Sequence, residues 1–181
     1  MRGSLARVSP TPAAVLVPVF RDDDGELRIV LVVRGSFGAH GDQVGLPGGK
    51  PEPGDASLLE TALREAEEEI GLARADVDVV AELDVLDSRT TGFRVSPFLA
   101  RVRGERRWRL AHGEIAAVVT PLARELADPA ARREQPVVTP RWPEPRIVDC
   151  IPLGDGHVLW GLTLRLLEGV VPRLVAGEWD V

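Results

Sequence analysis

The chain has 181 residues, 44% of them hydrophobic and 28% charged, which is the profile of one ordinary globular domain with enough length to bury a core. Acidic residues number 28 against 22 basic, a net charge of −6, so a general basic nucleic-acid binder is excluded and no polybasic patch offers itself to a membrane. No run approaches the 18 or more apolar residues of a spanning helix, and the single cysteine, Cys150, can form neither an internal disulfide nor a cysteine metal cluster. A reducing, cytoplasmic setting is the expectation. Lys50 is the only lysine and tyrosine is absent.

In chain order, residues 1–12 read as a loose N-terminal arm, with Ser4, Ser9, Pro10, Thr11 and Pro12, and residues 13–181 as a single domain. Two β-rich runs follow, Ala13–Phe20 and Leu27–Arg34, joined by a turn carrying Asp24-Gly25. Residues 35–55 hold seven glycines and prolines 47, 51 and 53, a long loop with at most a short strand near Gln43–Leu46. A helix is expected over Ser57–Ile70, with Ser57-Leu58-Leu59-Glu60 as a capping box and Gly71 as the stop. Strands are expected at Val77–Leu86, Phe93–Arg103, Arg106–Leu110 and Ile115–Val119, then a helical turn at Pro121–Ala127. A Pro- and Arg-rich loop spans Asp128–Pro145, a last strand covers Arg146–Ile151, and His157–Leu167 reads as a buried helix. Strands, a central helix, more strands and a closing helix describe an α+β fold, one mixed sheet with helices packed against it.

The most informative segment is Gly48-Gly49-Lys50-Pro51-Glu52-Pro53-Gly54-Asp55 followed by Arg64-Glu65-Ala66-Glu67-Glu68-Glu69-Ile70-Gly71-Leu72. On a helical wheel with Glu65 at zero, Glu68 falls near about −60° and Glu69 near about +40°, so three carboxylates share one face within a turn. Leu59, Leu63, Ala66 and Ile70 make the core stripe. As plain structure this is poor. Glu65 and Glu69 repel at i, i+4 by roughly 0.2–0.5 kcal/mol, and Glu67, Glu68 and Glu69 crowd the negative end of the helix dipole. A divalent cation reverses both penalties, because hard carboxylate oxygens are what Mg²⁺ or Mn²⁺ prefers. Gly48 and Gly49 permit close approach of backbone to a metal and to phosphates.

These residues resemble the Nudix hydrolases. The family pattern, G-x5-E-x7-R-E-U-x-E-E-x-G-U with U apolar, is matched by Arg64 to Leu72; its first Glu falls on Asp55, and eight residues instead of seven separate that position from Arg64. Arg34-Gly35-Ser36 through His40 and Gln43-Val44-Gly45-Leu46-Pro47-Gly48-Gly49 are similar to the coenzyme A pyrophosphatase subgroup. So are Gly92-Phe93-Arg94-Val95-Ser96-Pro97-Phe98 and Trp160-Gly161-Leu162-Thr163. Asp42 stands where that subgroup has glycine, and Leu46 where it has phenylalanine.

The resemblance implies a mixed β-sheet sandwiched between helices and hydrolysis of the pyrophosphate bond of a nucleoside diphosphate derivative, with Mg²⁺ or Mn²⁺ as cofactor. By motif position the metal ligands are Glu65, Glu68, Glu69 and the Gly49 carbonyl. Arg64 orients them, pairing with Glu60 or Glu68, and Glu114, with Glu105 behind it, is the candidate base from a later loop. Arg34, His40, Gly48 and Gly49 are the candidate contacts to substrate. Trp108 and Trp142 are placed to stack an adenine, whereas Phe93, Phe98 and Trp160 read as core, Cys150 as a buried small hydrophobe, and His112 and His157 as structural. The expected partner is a small nucleotide, coenzyme A first, split into 3′,5′-ADP and 4′-phosphopantetheine. ADP-ribose, dinucleotides and oxidised nucleotides stand behind it, as does a non-catalytic nucleotide-sensing module. Soluble proteins commonly pair about a two-fold axis, which points to a homodimer.

Overall fold

Alternation along the first strand sets the layering. The computed structural model describes residues 10–35, 42–88, 92–104, 107–139 and 142–181. β1 (Thr11–Arg21) has Ala14, Leu16 and Phe20 on one face and Val15, Val17 and Val19 on the other. Both sets are covered, so both faces of the strand are interior. β1 runs parallel to β8 (Phe93–Val102) and antiparallel to β2 (Leu27–Ile29) and β5 (Gly48–Gly49). The antiparallel strands β6 (Val77–Glu82) and β7 (Leu86–Asp87) complete this mixed sheet on the far side of β8. A second sheet orders β4 (Val44–Gly45), β3 (Leu31–Arg34) and β9 (Ile115–Val119). A third orders β10 (Arg133–Thr139), β11 (Trp142–Pro152) and β12 (Val158–Trp160).

Helix α1 (Leu58–Ile70) lies on the Ala14, Leu16, Phe20 face, where Ala62, Leu63, Ala66 and Ile70 meet Val30, Val32, Phe98, Ala100 and Val102. Helix α3 (Gly161–Val175) lies on the other face, with Leu166, Leu167, Val170 and Leu174 against Val17, Val19, Ile29, Leu31 and Leu99. The short α2 (Ala123–Ala127) joins that second layer. Helix, sheet and helix is the α+β sandwich anticipated above, and each fully buried Leu or Ile in it contributes roughly 1.5–3 kcal/mol. Among the described residues no helix is long and apolar enough to cross a membrane.

Several elements differ from the sequence reading. β1 takes in Thr11 and Pro12, which had been placed in the arm; residues 1–9 lie outside the described residues. The Leu27–Arg34 run divides at Val30, because β2 pairs with β1 and β3 with β9, so the chain changes sheets there. Arg107–Leu110 is not a strand. The N–H groups of Arg109 and Ala111 instead donate to the last carbonyls of α1, those of Ile70 and Glu69, at 2.9 Å each. The expected loop at Asp128–Pro145 is mostly the β10–β11 hairpin. Pro136 sits on an edge strand, where a missing N–H costs little, and Pro145 falls in the register shift near the hairpin tip. The apolar run from His157 splits into β12 and α3 at Gly161, whose φ of 68° ends the strand; apolar runs without periodicity do not distinguish strand from helix.

Candidate active site

Ser57 caps α1 as expected, its hydroxyl accepting from the Glu60 N–H at 3.2 Å, and Gly71 closes it in the left-handed region at φ 69°. The box is only half made, since the Glu60 carboxylate reaches Arg74 and not the N-cap. The carboxylate face of the wheel survives, although its three members sit in different surroundings. Glu69 is 1% exposed, Glu65 is half-buried and Glu68 lies open to solvent.

Arg64 is the hub. Its guanidinium donates to both oxygens of Asp55 at 3.0 and 3.1 Å, to Glu68 at 2.9 Å, to Glu65 at 3.2 Å and to the Lys50 carbonyl at 3.2 Å. One planar fork therefore ties the loop before α1 to the carboxylate face, which a lysine would not do. The pairing anticipated with Glu60 is absent. Asp55 also accepts from the Glu52 N–H and from the hydroxyl of Thr61, each at 2.9 Å. The Arg64 guanidinium, with the Glu52 N–H behind it, holds the Asp55 carboxyl well below the usual carboxylate range. Its stabilisation is thus complete above that range and fades as pH falls through the lowered value. Asp55→Asn is expected to lower the melting temperature at pH 7, with the gap between wild-type and variant melts starting to narrow only as pH falls below the usual carboxylate range. Equal melts at pH 7 would mean that the Arg64 contact contributes nothing. Thr61, fully buried, was missed by the sequence reading; its position near about −40° on the wheel was the available signal.

Glu69 is held from β5 and β3. The Gly48 N–H donates to one of its oxygens at 3.0 Å and Arg34 to the other at 3.2 Å, while Arg34 also donates to the Gly48 carbonyl at 3.2 Å. Burial nevertheless dominates and pushes the Glu69 carboxyl up to about 7, with the charges of Glu65 and Glu114 adding to the rise. Burial likewise raises Glu65. Glu114 is exposed, on the turn that the Ala111 bond to α1 brings alongside the helix end, and its carbonyl accepts from the Gly35 N–H at 2.7 Å. Gly49 lies so close to Glu65 that an added Cβ would stand 2.3 Å from a carboxylate oxygen.

As they stand, no three His, Cys, Asp or Glu side chains among the described residues converge on one point as a metal cage, and Arg64 engages both Glu65 and Glu68. The donor set still fits a hard divalent cation in its chemistry. Two carboxylates carry burial and like-charge penalties that a cation relieves, and a glycine backbone lies against one of them.

Gly48, Gly49 and Arg34 also form one wall of a pocket of about 540 Å³. Phe93, placed in the core by the sequence reading, lines it, with the Lys50 ammonium 5.4 Å from its ring centre. Trp160, likewise expected in the core, lines it beside Trp142. Phe98 is core as anticipated, Trp108 packs on the α1 core instead of offering a stacking face, and Cys150 is fully buried. His112 and His157 are not brought to the pocket wall. His40 and Glu105 lie outside the described residues. Asp42, where the subgroup has glycine, adopts φ 60°, a conformation glycine takes at no cost.

A model of the NUDIX domain matches residues 10–141. The chain is 37% identical to Nudix hydrolase 15, mitochondrial, of Arabidopsis thaliana over 169 residues, covering 89% of this chain and 58% of that protein. It is 38% identical to Nudix hydrolase 22, chloroplastic, of the same plant, covering 89% and 54%. The chain thus spans little more than half the length of these relatives. In fold it is similar to a NUDIX hydrolase from Nitrosomonas europaea, with a TM-score of 0.61 at 12% identity over 97% of this chain and 78% of that one.

Proposed function

This chain belongs to the NUDIX family, and from that premise we propose that it is a divalent-metal-dependent pyrophosphohydrolase acting on a nucleoside diphosphate derivative, coenzyme A first. One observation carries the reading. The three separated stretches that resemble coenzyme A pyrophosphatases, 34–49, 92–98 and 160–163, all contribute to the wall of a single pocket, and that wall includes Gly48 and Gly49 beside the carboxylate helix. Resemblance scattered along the chain thus gathers at one place of ligand size.

A diphosphate repels an attacking hydroxide; Glu65, Glu68, Glu69 and the Gly49 carbonyl would hold a divalent cation, which when bound would supply charge neutralisation and a more acidic water. The residues themselves do the rest. Arg34, at the pocket wall, offers its fork to a phosphate oxygen, with His40 as the second proposed contact. Arg64 holds the carboxylates in orientation. The proton of the attacking water passes to a carboxylate, for which exposed Glu114 beside the helix end is the proposed acceptor. Water oxygen bonds to phosphorus, the bridging P–O bond breaks, and the leaving phosphate keeps the electron pair.

The test is chromatographic product analysis with Mg²⁺ or Mn²⁺, offering coenzyme A, ADP-ribose, a diadenosine polyphosphate and a nucleoside triphosphate in parallel. The expected outcome is 3′,5′-ADP and 4′-phosphopantetheine from coenzyme A ahead of every other product. Another leading substrate removes the coenzyme A assignment and keeps the hydrolase; no turnover with any of the four removes both.

A further inference from the structure

The chain's four tryptophans are used in two ways. Trp179 packs against the α3-side core and Trp108 against the α1-side core. Trp142 and Trp160 are in neither cluster among the described residues; they are half-buried and line the 540 Å³ pocket. Trp142 opens β11, opposite Thr139, and Trp160 closes β12, opposite Cys150; the two indoles meet with centroids 5.3 Å apart and planes inclined at 48°. The Arg146 guanidinium lies 4.7 Å from the Trp142 ring centre, a cation–π contact that steadies the indole.

Such a pair is costly as a mere wall. An indole offers 150 Å² or more of largely apolar surface, roughly, and partial exposure forgoes much of what burial would contribute. The cost is recovered when a flat apolar ligand covers the rings. Charge sorts the pocket's lining. Its two cationic lining residues, Arg34 and Lys50, adjoin Gly48 and Gly49, whereas Thr139, Gly161, Leu162 and Thr163, which adjoin the tryptophans, are neutral, with Arg146 on the Trp142 ring but not in the lining. An anion is drawn to the first set; a neutral ring system suits the second.

We propose that Trp142 and Trp160 form the base subsite, stacking the purine of the nucleotide while the Gly48–Lys50 wall of the same pocket takes its phosphates. The inference rests on the nucleotide reading above for its ligand class, but needs no turnover. Base–aromatic stacking tolerates any base with a π face, so the pair sets affinity for the nucleoside half of a substrate and leaves the choice of the other half to the rest of the pocket.

Titration calorimetry with AMP and with ribose 5-phosphate, which lacks the base, tests it. Wild-type protein is expected to bind AMP the more tightly, with upfield shifts of the adenine H2 and H8 signals. Trp142→Ala and Trp160→Ala should each lose AMP affinity about tenfold or more while ribose 5-phosphate binds as before, and Trp→Phe at either position should keep most of the affinity. Thermal melts and the remaining tryptophan fluorescence show that the variants fold. Equal binding of AMP and ribose 5-phosphate to wild type, or Ala variants that keep AMP affinity or lose both ligands alike, would overturn the subsite. Selective loss of 4′-phosphopantetheine affinity in place of AMP affinity would overturn it too, assigning the pair to the other half of the substrate. Loss of AMP affinity in a protein that hydrolyses none of the offered diphosphates upholds the subsite and defeats the hydrolase reading. Turnover with AMP affinity unchanged in the variants does the reverse.

Discussion

Glu69→Gln is expected to cut turnover about a thousandfold or more while leaving the protein folded and, without metal at pH 8, at least as stable as the wild type. Both halves follow from where the carboxylate sits. It is 1% exposed and receives the Gly48 N–H and one Arg34 N–H, yet burial outweighs both and lifts its pKa from 4.5 to about 7. An acid whose folded pKa is raised binds more protons folded than unfolded, so the folded state gains on the acid side. Stability then declines as pH rises from about 4.5 through about 7, by up to roughly 3 kcal/mol. Glutamine has nearly the same shape and does not titrate, so wild-type and variant melts should coincide below about pH 4.5 and separate above it. Mg²⁺ or Mn²⁺ should restore wild-type stability at pH 8, do less at pH 6 where protons compete, and do little for the variant. Glu68→Gln is the control, because Glu68 is exposed and touches Arg64 only at the surface. It should lose turnover with almost no change in melting. A Glu69→Gln protein that keeps turnover within tenfold removes the carboxylate from the chemistry, and one that melts lower at every pH makes Glu69 a structural residue.

What could be read in the sequence divides along physical lines. Helix α1, its cap at Ser57, its stop at Gly71 and its carboxylate face were legible because capping and the 3.6-residue period are local rules. Pocket membership is not local. Trp160 was assigned to the core because an apolar run carries no mark of which side chains find a partner, and its neighbour Trp142 comes from the other end of β11, far along the strand from Cys150, which pairs with Trp160. The β10–β11 hairpin was hidden by its prolines, tolerable at Pro136 only because β10 is an edge, and edge status is a property of the assembled sheet. Asp55 was legible as a position and not as a partner. An aspartate has a shorter reach than the motif's glutamate, and only the folded loop shows that both of its oxygens meet Arg64. The strand expected at Arg106–Leu110 fails over its described residues, 107–110, for a different reason: the backbone donors of Arg109 and Ala111 serve the helix end and not a sheet, which β propensity does not register.

The two glycines of β5 should fail in different ways when a single methyl group is added. At Gly48 the backbone has φ +152°, a conformation essentially reserved for glycine, and a Cβ would stand 2.3 Å from the Ala14 carbonyl oxygen and 2.7 Å from the Val15 Cα. Those atoms are backbone of the central strand and cannot turn aside. Gly48→Ala is therefore expected to cost about 3 kcal/mol or more in urea unfolding, the sum of conformational strain and overpacking. At Gly49 the obstacle is the Glu65 carboxylate, 2.3 Å away, the free end of a flexible side chain. Gly49→Ala should leave stability within about 1 kcal/mol and drive that carboxylate from its place, with turnover falling about a hundredfold, as displacements near 1 Å do at reacting centres. Shortening the displaced side chain tests the cause. Glu65→Asp in the Gly49→Ala background makes room for the methyl group and should recover part of the lost turnover, although Glu65→Asp alone lowers it. No recovery would place the fault in the Gly49 backbone itself, and a Gly49→Ala protein with full turnover would show that the position of Glu65 is not required.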